Sequence, residues 1–283
     1  MTLKCALRYH SGRPRRARVD DRLRPGGRFA APFRAVLCVA ALCSSTAARA
    51  ENQPSLDEII AGFERQLDSR PQLVALAALK RDFPEDYQLG LARAKSRLPK
   101  EPLQSSGAAV GAVFLEEFGK AANDVVQRDA DEMAHADLPQ LDRFEATVLD
   151  VLRALQATSP RSCVDYAVDN AIGGDKTAPA DDLLIEKNIA ARLDALANGK
   201  AHKIKRSEPP EEAFDAWVKA TAALGMSAQA LERLKLGKTV VADAVAEQCQ
   251  SFITAHQALA ALPTEPRTNL LANEFIPIYY GRQ

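Results

Sequence analysis

The chain of 283 residues carries 37 Lys and Arg residues against 37 Asp and Glu residues, so its formal net charge is zero. With 47% hydrophobic and 26% charged residues, it is neither disordered nor collagen-like, because enough apolar side chains are present to offset the entropy of ordering. The charge is unevenly divided. Residues 1–50 hold 11 basic and two acidic side chains, whereas residues 51–283 hold 26 basic and 35 acidic ones. This asymmetry predicts a basic leader joined to an acidic body.

The basic leader has the pattern of a targeting segment. Arg, Pro and Gly occur through its first 34 residues without apolar periodicity, which predicts disorder. An apolar run at residues 35–43 then precedes Ala48-Arg49-Ala50, which is typical of a secretory signal peptide cleaved after Ala50. This run is too short for a permanent membrane span, which needs about 20 residues. We therefore expect an exported protein, periplasmic or secreted.

Other interpretations of the leader fit its residues less well. It is longer than an ordinary signal peptide, which favours a translation start further downstream. Arg15 and Arg16 suggest a twin-arginine signal, but the apolar run begins about twenty residues later. A lipoprotein needs a small residue before the modified cysteine, and Leu precedes both Cys38 and Cys43. Nucleic-acid binding by the Arg-rich stretch lacks interleaved aromatic residues, so no nucleic-acid partner is predicted.

The cysteines support export. Cys163 and Cys249 are the two cysteines of the body, and in an oxidising compartment they can form one disulfide across 86 residues. The alternative is two independent buried thiols, which behave as small apolar residues. The chain has no C-x-x-C pattern of a redox or zinc site. A Cys163–Cys249 disulfide is the prediction.

The body is predicted to be all-α, as a bundle or array of about eight or nine helices. Ala, Leu, Glu, Lys and Arg dominate it, and alternating β-branched runs are scarce. Its start is marked by a capping box, in which Ser55 and Glu58 can bond each other's backbone. Predicted helices cover 56–69, 72–81, 85–98, 108–133, 138–157, 160–172, 182–197, about 210–224, 228–236 and 238–262, with Asn198–Gly199 and Gly225 as stops.

The segment 99–107 (PKEPLQSSG) is the clearest linker of the body. It predicts a short-helix subdomain at residues 51–98 and a main helical domain at 107–283, which can pack against each other. Residues 200–210 are predicted to be a loop, and 200–206 (KAHKIKR) form the one compact basic patch of the body. The apolar C-terminal tail is expected to lie against the bundle.

Three patterns carry candidate chemistry. Gly237-Lys238-Thr239 matches the end of a phosphate-binding loop, but Glu232 stands where the first glycine is needed, so a helix break is favoured.

Asp131 and His135, at i and i+4 of the predicted helix, supply half of a metal site, and a solvated acidic face is the simpler interpretation. Burial of Glu116 or Glu117 in an apolar stretch would raise the pKa of one of them toward that of a general acid, although a solvated Glu is the simpler expectation.

No sequence motif assigns an enzyme class, a cofactor or a metal, and no nucleophile elbow or dinucleotide fingerprint is found. The first hypothesis is therefore a non-enzymatic binding or structural protein of the cell envelope, which contacts another envelope protein through residues 275–283. The alternative is a helical periplasmic hydrolase that uses the carboxylates of Glu116 and Glu117 or the Asp131/His135 face.

Overall fold

The structure, a computed structural model, describes residues 55–98, 107–169, 182–236 and 244–276. All regular elements in these ranges are helical, which confirms the all-α fold class. The predictions for the leader, with its signal sequence at 35–43 and Ala50, lie outside the described residues. The α-helices are α1 Leu56–Glu64, α2 Val74–Asp82, α3 Pro84–Arg97, α4 Gly107–Arg128, α5 Leu138–Thr158, α6 Pro160–Asp169, α7 Asp182–His202, α8 Glu211–Ala223, α9 Ala228–Leu236, α10 Val245–Ala260 and α11 Thr264–Leu270. Short 3-10 turns cover Leu67–Ser69, Pro71–Leu73 and Ala130–His135, and a π turn covers Leu271–Phe275.

Local sequence signals place several helix ends correctly. The Ser55 backbone N–H donates to Glu58 Oε2 at 2.7 Å, and the Glu58 N–H donates to Ser55 Oγ at 3.3 Å, which confirms the capping box of α1. At the end of α8, Gly225 has φ of 91°, and the next backbone N–H returns to the Thr221 carbonyl at 3.1 Å. This is a Schellman cap, in which glycine adopts the left-handed conformation without strain.

Eleven α-helices lie in the described ranges, against an expected total of about eight or nine and ten predicted helix ranges. The predicted breaks before Pro84 and Pro160 fall at Phe83 and Ser159, because a proline disfavours the helical conformation of the residue before it. The C-terminal region adds α11 and the π turn, so the described part of the tail is itself helical. Phe275 and Ile276 are buried, which confirms for the described part of the tail that it lies against the bundle.

The predicted helix 108–133 was wrong beyond Arg128, and so was the predicted stop of α7 at Asn198–Gly199. The chain tightens into a 3-10 turn at Ala130–His135, and α7 continues to His202. The two departures are linked: a Cβ on Gly199 would lie 1.8 Å from the Glu132 carbonyl oxygen. Gly199 is therefore a point of close backbone approach between α7 and this turn.

The buried apolar side chains of the described residues, apart from Ala230, form one hydrophobic cluster. Helix α7 packs against α2 and α5, and α3 packs against α4. A stacked aromatic group joins the N-terminal helices to α4, with ring centroids 4.8 Å apart for Tyr87 and Phe118 and 5.8 Å apart for Phe63 and Phe114. Residues on both sides of the linker 99–107 thus contribute to the same core, and the division into subdomains 51–98 and 107–283 stays a prediction.

Candidate functional site

Glu116 and Glu117 lie on α4 beside two cations. Glu117 is buried, and its Oε1 accepts a hydrogen bond from Lys120 Nζ at 2.8 Å and another from Arg97. Glu116 is half exposed and pairs with the same Arg97 and Lys120 at 2.9 and 2.8 Å. These contacts make a four-residue ion-pair group at the side of the bundle.

The simpler expectation of a solvated Glu holds for Glu116 and is wrong for Glu117, which is buried. The alternative, in which burial raises the pKa of one of these carboxyls, is wrong as well. Burial does act to raise the pKa of Glu117, but the hydrogen bonds from Lys120 and Arg97 outweigh it and hold the pKa below its ordinary value. The same two cations lower the pKa of Glu116. Both groups are therefore carboxylates near neutral pH, which is unsuitable for a general acid.

Glu117→Gln should make the protein less sensitive to acid. A depressed pKa contributes stability above the ordinary carboxyl value of 4.5, and this contribution is lost as the pH falls through the folded-state pKa. The wild type should lose this contribution as the pH falls below the ordinary carboxyl range, and the variant has none to lose. Urea unfolding at neutral pH and in acid measures the difference. Glu116→Gln, at the exposed member of the group, is the matched control and should have the smaller effect.

Asp131 and His135 do not form half of a metal site. They lie in the 3-10 turn, where residues i and i+4 point about 120° apart, so they share no face. Asp131 is exposed, and the ring of His135 bonds the Ile204 carbonyl through Nδ1 at 2.9 Å. Among the described residues no group of three or more His, Cys, Asp or Glu side chains could hold a metal ion. Gly237-Lys238-Thr239 lies outside these residues.

The basic residues 200–206 serve partly as internal contacts. Arg206 donates to the carbonyls of Ala134 and Ala136, the first at 2.5 Å, and burial lowers its pKa. Lys200 bonds Asp129 at 3.1 Å and His202 bonds Asp137 at 3.2 Å. The loop therefore begins at residue 203, directly after α7, and not at residue 200 as predicted. Lys200 and His202 of α7, with Arg206 of the loop, fasten this region to the 3-10 turn and the residues that flank it.

Cys163 of α6 and Cys249 of α10 form the predicted disulfide. Their Cα atoms lie 5.7 Å apart, which is an ordinary distance for a disulfide, and both side chains are completely buried. The cross-link joins two helices that are 86 residues apart in the chain. It covalently fixes α10 against the first half of the bundle.

A buried polar cluster between α5, α6, α7 and α10 was not identified from the sequence. Its central contact joins His256 Nδ1 to Glu145 Oε1, and the two side chains are only 2% and 9% exposed. This contact joins a ring nitrogen to a carboxyl oxygen within hydrogen-bonding distance. Burial of both side chains keeps the pair from contact with a substrate in this structure.

Tyr166, Asn188 and Arg192 extend this cluster. The buried Tyr166 hydroxyl donates to Asn188 Oδ1 at 3.2 Å, and Asn188 Nδ2 donates to Thr147 Oγ1 at 3.0 Å. Burial raises the pKa of Tyr166 to about 12, the positive charge of Arg192 opposes the rise, and the negative charge of Glu145 adds to it. The hydroxyl thus senses both charges, which places a carboxylate and a guanidinium in the same buried region.

One signal in the sequence could have revealed the cluster. Glu145 lies on the buried face of α5, at helical spacing from the apolar Leu141, Val148 and Leu152. A charged residue therefore interrupts the row of apolar side chains that faces the core. Its partner His256 stands 111 residues away in a largely apolar helix, and no local pattern joins the two. The carboxylate was detectable from periodicity, whereas the pairing was not.

A small cavity lies between α9 and α10. Its volume is about 10 Å³, which is room for about one water molecule, and its walls include Arg233, Glu247 and Ser251.

None of the described helices is long and apolar enough to cross a membrane.

No protein-family model matches this chain, and no curated protein or solved structure matches it either. The class of protein is therefore defined by its own fold: an all-α protein whose described residues include a buried disulfide and a buried polar cluster.

Proposed function

We propose that the protein is exported and acts outside the reducing cytoplasm as a non-enzymatic binding or structural protein of the cell envelope. The observation that carries this proposal is the buried Cys163–Cys249 disulfide, because disulfides of this structural kind form and persist in oxidising compartments. The leader supports the same compartment through its apolar run at 35–43 and the cleavage pattern Ala48-Arg49-Ala50.

The charge of the body supports a partner that is neither nucleic acid nor an anionic lipid surface. Residues 51–283 have nine more acidic than basic side chains, so their bulk field repels polyanions. Of the basic residues 200–206, three are already engaged in contacts within the protein. A protein partner in the envelope fits this surface best.

The hydrolase alternative has lost its main support. Its candidate acids were Glu116 and Glu117, whose pKa values are lowered by Arg97 and Lys120. Its second candidate pair, Asp131 and His135, lies in a 3-10 turn, and the two side chains do not share a face. No described carboxylate pair favours hydrolysis over binding, so the proposal concerns binding alone.

Cell fractionation with analysis of the mature N-terminus tests the export proposal. We expect a species that begins at Glu51 in the periplasm or medium, with Cys163 and Cys249 inaccessible to alkylation until the protein is reduced. Ala48→Leu together with Ala50→Leu should block cleavage and leave a longer, membrane-associated precursor. A cytosolic protein that retains residues 1–50 and reacts as two free thiols would contradict the proposal.

Removal of residues 277–283 should lower recovery of the envelope partner. This segment contains Ile278, Tyr279 and Tyr280, which offer apolar and aromatic contact area. The truncation starts after Ile276, because Phe275 and Ile276 belong to the core and their loss would destabilise the fold. The measurement is cross-linking in periplasmic extract, followed by affinity recovery of the protein.

The matched control for the truncation is Leu89→Ser, which changes an exposed apolar side chain on α3, at 44% exposure, far along the chain from the tail. A partner that is lost with the truncation and retained by this control supports the tail as the contact. Equal recovery by the wild type and the truncated chain would exclude it.

A further inference from the structure

We propose that the loop after α7, residues 203–210, is a processing site for a lysine-specific endoprotease. Hydrolysis of the peptide bond between Lys205 and Arg206 leaves two chains that the Cys163–Cys249 disulfide holds together. This inference goes beyond the proposed function and does not depend on it, because it requires only the loop and the disulfide.

The loop is the longest stretch without regular structure among the described residues. Residues 203–210 contain no helix, turn or bend, so most of this segment is close to extended. Proteases bind their substrates as extended chains, so a helix must unwind locally before it is cut, whereas an exposed loop is cut directly. In the part of the chain that the structure describes, Lys203 and Lys205 are the two lysines that lie outside the helices.

Lys205 presents its side chain to solvent. It is exposed, and it forms no ion pair or side-chain hydrogen bond with another described residue. Arg206 differs, because its guanidinium donates to the carbonyls of Ala134 and Ala136 and is therefore already bound within the protein. A protease pocket recognises a basic residue by taking up its side chain. The bond after Lys205 therefore offers a cation that such a pocket can bind, and the bond after Arg206 does not.

Ile204 fixes the orientation of the loop. Its backbone N–H donates to the His135 carbonyl at 3.1 Å, and its carbonyl bonds Nδ1 of the His135 ring at 2.9 Å. The backbone groups of Ile204 thus face the protein. In an extended chain, consecutive residues direct these groups to opposite sides, so those of Lys205 face outward. Among the described contacts, the Lys205 N–H donates no backbone hydrogen bond, which leaves it accessible to a protease.

Lys203 is a poorer position for cleavage. Its φ is 51°, in the left-handed region that a substrate held in extended form does not occupy. Its N–H still donates to the Gly199 carbonyl at 2.9 Å, as the last backbone bond of α7. The bond that follows Lys203 also contains the Ile204 nitrogen, whose N–H is bonded to His135. The loop therefore directs the cut to the bond between Lys205 and Arg206.

The reaction is a simple hydrolysis that consumes one water molecule. The C–N bond between Lys205 and Arg206 breaks, the Lys205 carbonyl carbon gains an oxygen and becomes a carboxylate, and the nitrogen of Arg206 becomes an ammonium group. Cys163 precedes this bond and Cys249 follows it, and their buried disulfide is untouched. The segment that carries α8 to α11 therefore stays covalently joined to the rest of the protein.

Limited proteolysis of the purified full chain tests the site. A lysine-specific endoprotease suits this test because Lys4 is the one lysine of the arginine-rich leader. We expect the first cut within residues 51–283 to follow Lys205, as determined by intact mass. Lys205→Gln should slow this cut by at least about tenfold, because the pocket loses its charged ligand. The matched control Lys203→Gln, at the neighbouring exposed lysine, should be cut at the wild-type rate.

The two-chain product is tested by denaturing gels with and without reductant. The cut wild type should remain one species without reductant and separate into two chains with it, whereas the cut Cys163→Ala/Cys249→Ala variant should separate in both cases. Cut wild type that separates without reductant would overturn the joined product. A first cut at any other lysine, or an unchanged rate in Lys205→Gln, would overturn the site.

Protein recovered from the cells that produce it, with protease inhibitors present from lysis onward, tests the processing itself. It should separate after reduction into the same two chains, the second of which begins at Arg206. A chain that stays whole after reduction would show that the loop is not processed in the cell and would overturn the proposal.

Discussion

Removal of the Cys163–Cys249 disulfide should lower the free energy of unfolding by about 4 to 5 kcal/mol, the chain-entropy value for a closed loop of this length. The cross-link spans 86 residues, and a reduced chain regains the freedom of this loop in the unfolded state. Both cysteines, Cys163 of α6 and Cys249 of α10, are fully buried. The loss is large against the roughly 5 to 15 kcal/mol that is usual for the stability of a domain.

Urea unfolding with and without reductant measures this effect. The double variant Cys163→Ala/Cys249→Ala should match the reduced wild type and show no further response to reductant. This second comparison separates the buried bond from Cys5, Cys38 and Cys43 of the leader. A change below about 1 kcal/mol would show that the loop is already restricted in the unfolded chain.

Gly199→Ala should destabilise the protein by about 3 kcal/mol, at the upper end of what overpacking usually costs. The new methyl group would lie 1.8 Å from the Glu132 carbonyl oxygen and 2.8 Å from its carbonyl carbon. These are backbone atoms, so relief requires α7 to move away from the 3-10 turn Ala130–His135. The gain of about 1 kcal/mol in helix propensity cannot offset this displacement.

Gly62→Ala is the matched control for this substitution. Gly62 also lies within a helix, but the atom nearest to a methyl group added there is the flexible end of Arg65, at 3.7 Å. Helix propensity should therefore prevail and raise the stability by up to about 1 kcal/mol. Thermal unfolding of the two variants should show shifts of opposite sign. A Gly199→Ala protein as stable as the wild type would mean that the close approach of α7 to the turn is not present in solution.

Helix positions were predictable where a signal lies within a few residues. The Ser55/Glu58 box, the residues that precede Pro84 and Pro160, and Gly225 all mark their boundaries correctly, because capping and proline exclusion involve neighbours in the chain. Asn198–Gly199 carries the same kind of signal and misled the prediction. Gly199 does not end the helix; it is required because the backbone of Glu132, from another part of the chain, packs directly against it.

The candidate site shows the same difference between features that depend on neighbours in the sequence and features that depend on distant residues. A solvated Glu was the simpler expectation, but Glu117 is buried. Its pKa falls because Lys120 of the same helix and Arg97, which arrives from α3 and lies twenty residues away in sequence, both bond its carboxylate. The Glu145–His256 pair spans 111 residues and was missed altogether. Charge balance at a buried group depends on which partners are brought to it, and amino-acid spacing does not contain that information.

By itself, the sequence determined the helical class, the main caps and the choice of Cys163 and Cys249 as the disulfide pair, since these follow from local periodicity and from the cysteine count of the body. The tertiary structure alone decided that α7 runs on through Gly199, that Glu116 and Glu117 are held as carboxylates, and that Phe275 covers a buried Glu145–His256 pair. The physical reason is the range of the interactions: helix signals act over about four residues, whereas desolvation, ion pairing and close packing depend on atoms that only folding brings together.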